Sequence, residues 1–245
     1  MSVSNQMEFS VEMHCNSCAK TVQDVLCTNG ISVVSIDIPK EQVVVKSLLT
    51  SFEIKEILES TGKKAALVGA GKLGAAVVEI NSEAAKGVVR LSQLDEEQCL
   101  IEGVLDGLAP GKHKINIHEF GDLTDGCKSC GDVFNPFNYL INNRHYGNIG
   151  SVIADKDGRA KFQFIDGMIK VWDVIGRSMV VHKCNESSSL LEKVSAVGCA
   201  IIARSSGVFQ NTKKLCTCDG ISIWDERNVP IVGVERQEFM EQQKN

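Results

Sequence analysis

Residues 7–28 read MEFSVEMHCNSCAKTVQDVLCT, and their hydrophobic period changes halfway. Residues 7–13 alternate apolar and polar side chains, the period of a half-buried strand. Beyond Cys18 the apolar positions Ala19, Val22, Val25 and Leu26 recur at helical spacing, so a strand, a cysteine loop and a helix follow one another. Outward from this unit, the Asn29-Gly30 turn leads into ISVVSIDI and QVVVKSL, two β-rich runs joined by Pro39-Lys40-Glu41. The amphipathic run FEIKEILEST, closed by Gly62, and a last apolar run, AALV, complete the pattern. Strand and helix periods in the order βαββαβ, within about 65 residues, predict one α+β domain over residues 1–71.

That order is the ferredoxin-like one. Residues 69–74, GAGKLG, match G-x-G-x-x-G and follow a strand, but AAVVEI behind them reads as another strand. No helix N-terminus is then present to hold a pyrophosphate, and the glycines are read as a linker. From residue 75 to about 204, short strands alternate with turns such as Leu108–Gly111 and Asp155–Gly158, without a convincing amphipathic helix. This predicts a β-sandwich or barrel over residues 72–209. Residues 210–245 are polar, too short for a core of their own, and are read as a flexible tail.

The 245 residues carry 26 Lys+Arg against 31 Asp+Glu, a formal net charge of -5, and 43% hydrophobic residues. Without a basic block, the electrostatic footprint of a nucleic-acid or anionic-membrane binder is missing, so no nucleic-acid partner is expected. No apolar run approaches the roughly 18 residues a bilayer span needs, and the first residues lack a signal-peptide layout. A cytosolic address is the expectation. Ten cysteines are then anomalous, because a reducing compartment rarely keeps a disulfide framework, and they point to metal or redox chemistry.

Six of them fall into close pairs, Cys15-x-x-Cys18, Cys127-x-x-Cys130 and Cys216-x-Cys218. More than a hundred residues separate the first two pairs, which excludes a zinc ribbon. A C-x-x-C between a strand and a helix suits either a thioredoxin-like redox site or a soft-metal site. Met13 before the pair, together with the βαββαβ order, resembles the M-x-C-x-x-C copper-binding domain of copper chaperones and copper-transporting ATPases, over residues 7–71. Two thiolates are ligands that Cu(I) prefers on softness grounds, and a helix N-terminus lowers their pKa. Lys63 matches a position that is basic in the related domains and would offset the negative charge of a bis-thiolate Cu(I) unit. His14 is read as an exposed loop residue.

Further along, HEFGDLTDGC (118–127), FNP (134–136), RHYG (144–147), ADKDG (154–158), GRSMVVH (176–182) and Gly198-Cys199 resemble, in order, the signature segments of Cu/Zn superoxide dismutase. The resemblance implies an eight-stranded Greek-key sandwich. It does not carry the activity, which depends on the site. The four copper-ligand positions read Asn116, His118, Val133 and His182, so two imidazoles are lost, the bridging one included. On the zinc side only His145 remains, with Asn148 at the aspartate position, and Ala196 replaces the guiding arginine. Dismutase turnover and bound zinc in the middle domain are therefore not expected. His118, His145 and His182 are read as packing remnants. The resemblance further implies a Cys127–Cys199 disulfide, and a dimer face from Phe120, Gly121, Ile175, Gly176, Ile201 and Ile202.

The run from Ile201 to Gly233, with Cys216 and Cys218 before Asp219-Gly220 and IWDER behind them, resembles the carboxyl-terminal third of the copper chaperones for superoxide dismutase. With the two preceding domains, the whole chain resembles that family. A C-x-C disulfide closes a strained ring and is readily reduced, while its dithiol binds Cu(I). The resemblance implies a non-enzymatic metallochaperone with thiol-disulfide exchange chemistry. Cys15 and Cys18 acquire Cu(I), the sandwich forms a heterodimer with immature Cu/Zn superoxide dismutase, and Cys216 and Cys218 pass copper and form the target's disulfide. A copper-donating membrane transporter and a second copy of the chain are further expected partners. The competing readings are a divergent dismutase with its own copper feeder, against which the lost ligands argue, and a client-free Cu(I) buffer, against which the retained face argues.

Overall fold

The computed structural model describes residues 4–137, 140, 144–184 and 195–210. Its first unit runs β1 (Asn5–Val11), α1 (Asn16–Thr28), β2 (Ser32–Asp37), β3 (Gln42–Ser47), α2 (Ser51–Glu59) and β4 (Ala65–Ala70). The strands form one antiparallel sheet in the order β2-β3-β1-β4. Met7, Phe9 and Val11 point alternately from β1 into a core with Val22 and Leu26 of α1 and Ile54 and Leu58 of α2, all fully buried. Period 2 on the strand meets the i, i+4 stripe on each helix, which is why both signals were readable. α2 opens with a capping box: the Thr50 hydroxyl accepts the Glu53 N–H, and the Glu53 carboxylate accepts the Thr50 N–H. Between the units, Gly71 has φ +73 and donates its N–H to the Gln6 carbonyl, and a strand, not a helix, follows it.

The second unit begins with β5 (Gly74–Asn81), β6 (Lys86–Gln93), β7 (Cys99–Asp106) and β8 (Gly111–His118). It continues through β9 (Asn148–Ala154), β10 (Ala160–Asp166), β11 (Ser178–Lys183), β12 (Ser195–Ile201) and β13 (Ala203–Ser205). Two antiparallel sheets, β10-β7-β6-β5-β13 and β12-β11-β8-β9, enclose a core of Val78, Ile80, Leu91, Ile101, Leu105, Ile115, Ile117, Met179 and Val181. Beyond the eight strands expected there is a ninth, β13, which leaves β12 and pairs with β5 of the opposite sheet. The crossing residue is held by two backbone bonds, Ile202 N–H to Arg177 O at 2.8 Å and Gly176 N–H to Ile202 O at 2.9 Å. Two helical pieces, α3 (Val171–Val174) and a 3-10 turn (Gly126–Lys128), are too short to leave an amphipathic period.

The N-terminal end of α2 sits on the outer face of β6 and β7. Ser51 N–H donates to both carboxylate oxygens of Glu102 at 3.2 Å, and the Arg90 guanidinium lies over the Phe52 ring, 4.8 Å from its centre. Arg90 and Glu102 are cross-strand neighbours. Desolvation pushes the Glu102 carboxyl up and the Arg90 guanidinium down, and it outweighs the attraction between them.

Candidate functional site

The cysteine loop lies where β1 ends and α1 begins. Its base is fixed by Val11 N–H to Glu41 O (2.7 Å) and Glu12 N–H to Lys64 O (3.0 Å), while Met13, 1% exposed, fastens it to the core. The Lys64 bond sets the neighbouring Lys63, half-buried, in the turn beside the strand that enters the loop. His14 is exposed and stands near the Glu12 and Glu41 carboxylates. Cys15 occupies the N-cap of α1 in an extended conformation, with no side-chain cap on the helix. The first-turn N–H groups of α1 therefore lie beside sulfur instead of an oxygen cap. Its Sγ is 3.3 Å from Cys18 Sγ and 3.0 Å from Ser17 Oγ. Cys15 is exposed and Cys18 half-buried. Hydrogen bonds from the Ser17 hydroxyl, then from the Cys18 N–H and thiol, bring the Cys15 thiol down to about 7. Near neutral pH about half of it is thiolate. Two sulfur donors within reach of one soft ion, open to solvent, can take up and release that ion by ligand exchange. Ser17, which the reading of the sequence passed over, was findable as the hydroxyl between the two cysteines.

The sandwich arranges its imidazoles differently. His118 Nδ1–H donates to Gly131 O at 2.8 Å, which leaves its Nε2 to accept from His182 Nε2–H at 3.1 Å, a tautomer assignment made from the hydrogen-bond network. Asn116 is buried nearby, and Val133 meets His118 in a β-bridge. His145 is exposed, whereas Arg144 makes a bidentate pair with buried Asp166 at 2.7 and 2.8 Å and donates to the Asn148 carbonyl. Ala196 is exposed at the start of β12. Among the described residues, no three His, Cys, Asp or Glu side chains come together as a metal site.

Cys127 and Cys199 form a disulfide across a separation of 72 residues, joining the 3-10 turn to β12. Cys130 is a free, fully buried thiol that donates to Asp122 O at 3.6 Å. The expected pairing face is partly outward and partly inward. Phe120 and Ile201 are 55% and 43% exposed, Ile175 is half-buried, and Gly176 is exposed. Gly121 is required beneath them, since a Cβ there would stand 2.1 Å from Gly176 O and 3.6 Å from the Ile201 side chain. Ile202 corrects the expectation: it is 0% exposed and belongs to the sandwich core, because successive residues at the end of β12 face opposite sides. Trp172, 52% exposed on α3, is a further large apolar side chain on the surface that had not been singled out. Cys216 and Cys218 lie outside the described residues.

Residues 8–64 match the family model described as the heavy-metal-associated domain, and residues 85–202 that of copper/zinc superoxide dismutase. The chain is 44% identical over 253 residues to the copper chaperone for superoxide dismutase of Rattus norvegicus, an alignment that covers 95% of this chain and 92% of that protein. A chloroplastic/cytosolic protein of the same name from Arabidopsis thaliana is 38% identical, with 92% and 71% covered. The superoxide dismutase 1 copper chaperone of Saccharomyces cerevisiae is 30% identical, with 89% and 92% covered.

Proposed function

The chain belongs to the family of copper chaperones for superoxide dismutase, and on that premise we propose that it carries Cu(I) on Cys15 and Cys18 and delivers it to a copper/zinc superoxide dismutase. The observation that carries this reading is the open sulfur pair, 3.3 Å apart, with Cys15 held near 7. Two thiolates suit Cu(I) and leave room for a third, so copper arrives from a donor, such as a membrane copper transporter, and departs by successive thiolate exchange. The sandwich contributes recognition. Phe120 and Ile201 present apolar surface around the Gly121–Gly176 contact, which pairs with an immature dismutase subunit, or with a second copy of the chain when no target is present.

The role is non-enzymatic in the sense that no dismutation is performed. The sandwich keeps two of four copper-ligand imidazoles, each engaged with the other, and holds no zinc. Cys216 and Cys218 pass the metal and, as a disulfide, oxidise the target. One target thiolate attacks the tail disulfide and expels a tail thiolate, and the second target thiolate resolves the mixed disulfide, so the target is oxidised and the tail leaves as a dithiol. No helix among the described residues is long and apolar enough to cross a membrane, and the cytoplasm is the compartment proposed.

Mixing the copper-loaded chain with metal-poor, disulfide-reduced dismutase in the presence of glutathione tests this. Activity and the target's disulfide should appear together. Activation no greater than that given by a copper–glutathione control rejects the reading.

A further inference from the structure

After β13 the chain returns to the first unit before it enters the tail. Ala70 N–H donates to Ser206 O at 3.2 Å and Val208 N–H to Gly71 O at 3.0 Å, so residues 206–208 run beside the outer edge of β4. The Phe209 N–H then donates to Glu8 Oε2 at 2.5 Å, across 201 residues, and Gln42 Nε2 donates to Glu8 Oε1 at 2.6 Å. Glu8 sits on β1, 2% exposed, on the face opposite Met7 and Phe9. A buried carboxylate needs its oxygens satisfied, and the root of the tail supplies one of the two donors. Gly69 completes the fit: a Cβ there would stand 2.4 Å from the backbone oxygen of Gly207.

We propose that Glu8 is a positioning residue that pins the root of the tail to the first unit, so that Cys216 and Cys218 meet Cys15 and Cys18 within one chain. The use of that meeting, copper passage between the pairs, rests on the delivery reading above. Seven residues separate Phe209 from Cys216, and seven separate Glu8 from Cys15. Each thiol is thus within about 25 Å of chain from the clamp. Seven residues with coil dimensions reach ~15 Å. That is close to the span from mid-β1 to the loop beyond it, about 10 Å of strand for residues 8–11 plus the loop. Matching reach to span is the condition under which a tether raises effective concentration most, into the millimolar range. Without the clamp, the nearest fixed point is Ser205 on β13, eleven residues from Cys216. The longer tether and displaced origin lower the effective concentration roughly two- to threefold.

The effective concentration can be measured directly in the full chain. In a background carrying Cys15→Ser and Cys218→Ser, Cys18 and Cys216 are equilibrated with glutathione and its disulfide. One glutathione disulfide is reduced to two thiols for each Cys18–Cys216 bond formed, and peptide mapping gives the fraction. Glu8→Ala and Gly69→Ala should each lower the value roughly two- to threefold. Glu8→Gln, whose amide oxygen still accepts the Phe209 N–H, should leave it unchanged. A merely structural Glu8 would alter the unfolding midpoint and leave this equilibrium where it was. No change in either alanine variant, or a change in only one of two folded variants, overturns the clamp. If Glu8→Ala does not fold, Gly69→Ala decides alone, because it leaves the carboxylate in place. Dismutase activation by the unsubstituted chain is scored separately, and failure there with a positive clamp result rejects delivery and not the clamp.

Discussion

The cysteine loop and the sandwich's imidazole pair are both clusters of metal-ligating atoms, yet one is left open and the other is closed on itself. Cys15 faces solvent with its thiol brought down to about 7. His118 and His182 spend their facing nitrogens on each other at 3.1 Å, and Gly131 holds the far side of His118. The thiols follow the same division. Cys99 is buried in β7, where desolvation pushes it up to about 12, and Cys127 is tied to Cys199. A cargo site must remain incompletely satisfied so that the ion can leave, whereas a scaffold is most stable when every buried polar group has a partner.

The contrast breaks first at the metal. With the tail cysteines replaced to simplify the measurement, Cys15→Ser with Cys18→Ser should lower Cu(I) affinity by well over the ~10–100-fold that loss of a supporting group costs. His118→Ala with His182→Ala should leave that affinity unchanged. Competition against a chromophoric Cu(I) chelator measures both. If the imidazole pair contributes comparably, the sandwich is not the closed region described here.

The second break is at the disulfide. A cross-link over 72 residues stabilises the sandwich by about 4 kcal/mol in the chain-entropy model. Cys127→Ser with Cys199→Ser should therefore shift the denaturant midpoint of the β-rich transition strongly. It should not change Cu(I) binding by the first unit. Equal loss in both would mean that the units unfold as one.

How much of this was readable follows from where each partner lies in the chain. The first unit was legible because β1 and α1 declare their periods within consecutive residues, with Met7, Phe9 and Val11 in one period and Val22 and Leu26 in the other. The sandwich was legible through the order of its segments, and the cysteine pair through its spacing. Contacts between the units left no trace. Glu102, in CLIEGVLD, reads as an outward position on a strand, and its burial comes from Ser51, 51 residues earlier. Glu8 likewise looks like the polar half of an alternation, and its partner is 201 residues away. Ile201 and Ile202 are chemically identical neighbours, so only the direction of β12 distinguishes the exposed one from the core one.

The finest difference between the two regions is one of proton affinity, and Ser17 tests it. In the metal-free chain, Cys15 near 7 should be about 10% thiolate at pH 6 and about 90% at pH 8, so its alkylation rate rises with pH through a midpoint close to 7. Ser17→Ala removes the largest of the lowering interactions, and the midpoint moves up toward the ordinary value of 9.0. A rise of about one unit leaves roughly 9% thiolate at pH 7 in place of half, but a more basic thiolate is also intrinsically about threefold more nucleophilic. The two effects oppose each other. At pH 7 the variant should react only about twofold more slowly, and at pH 10, where both are ionised, it should react about threefold faster. A crossing of the two profiles is therefore the signature, and parallel profiles would mean that the Ser17 hydroxyl does not hold the proton affinity of Cys15. Cys130, buried and bonded to Asp122 O, serves as the reference from the closed region, since it should resist the reagent at every pH at which the sandwich stays folded.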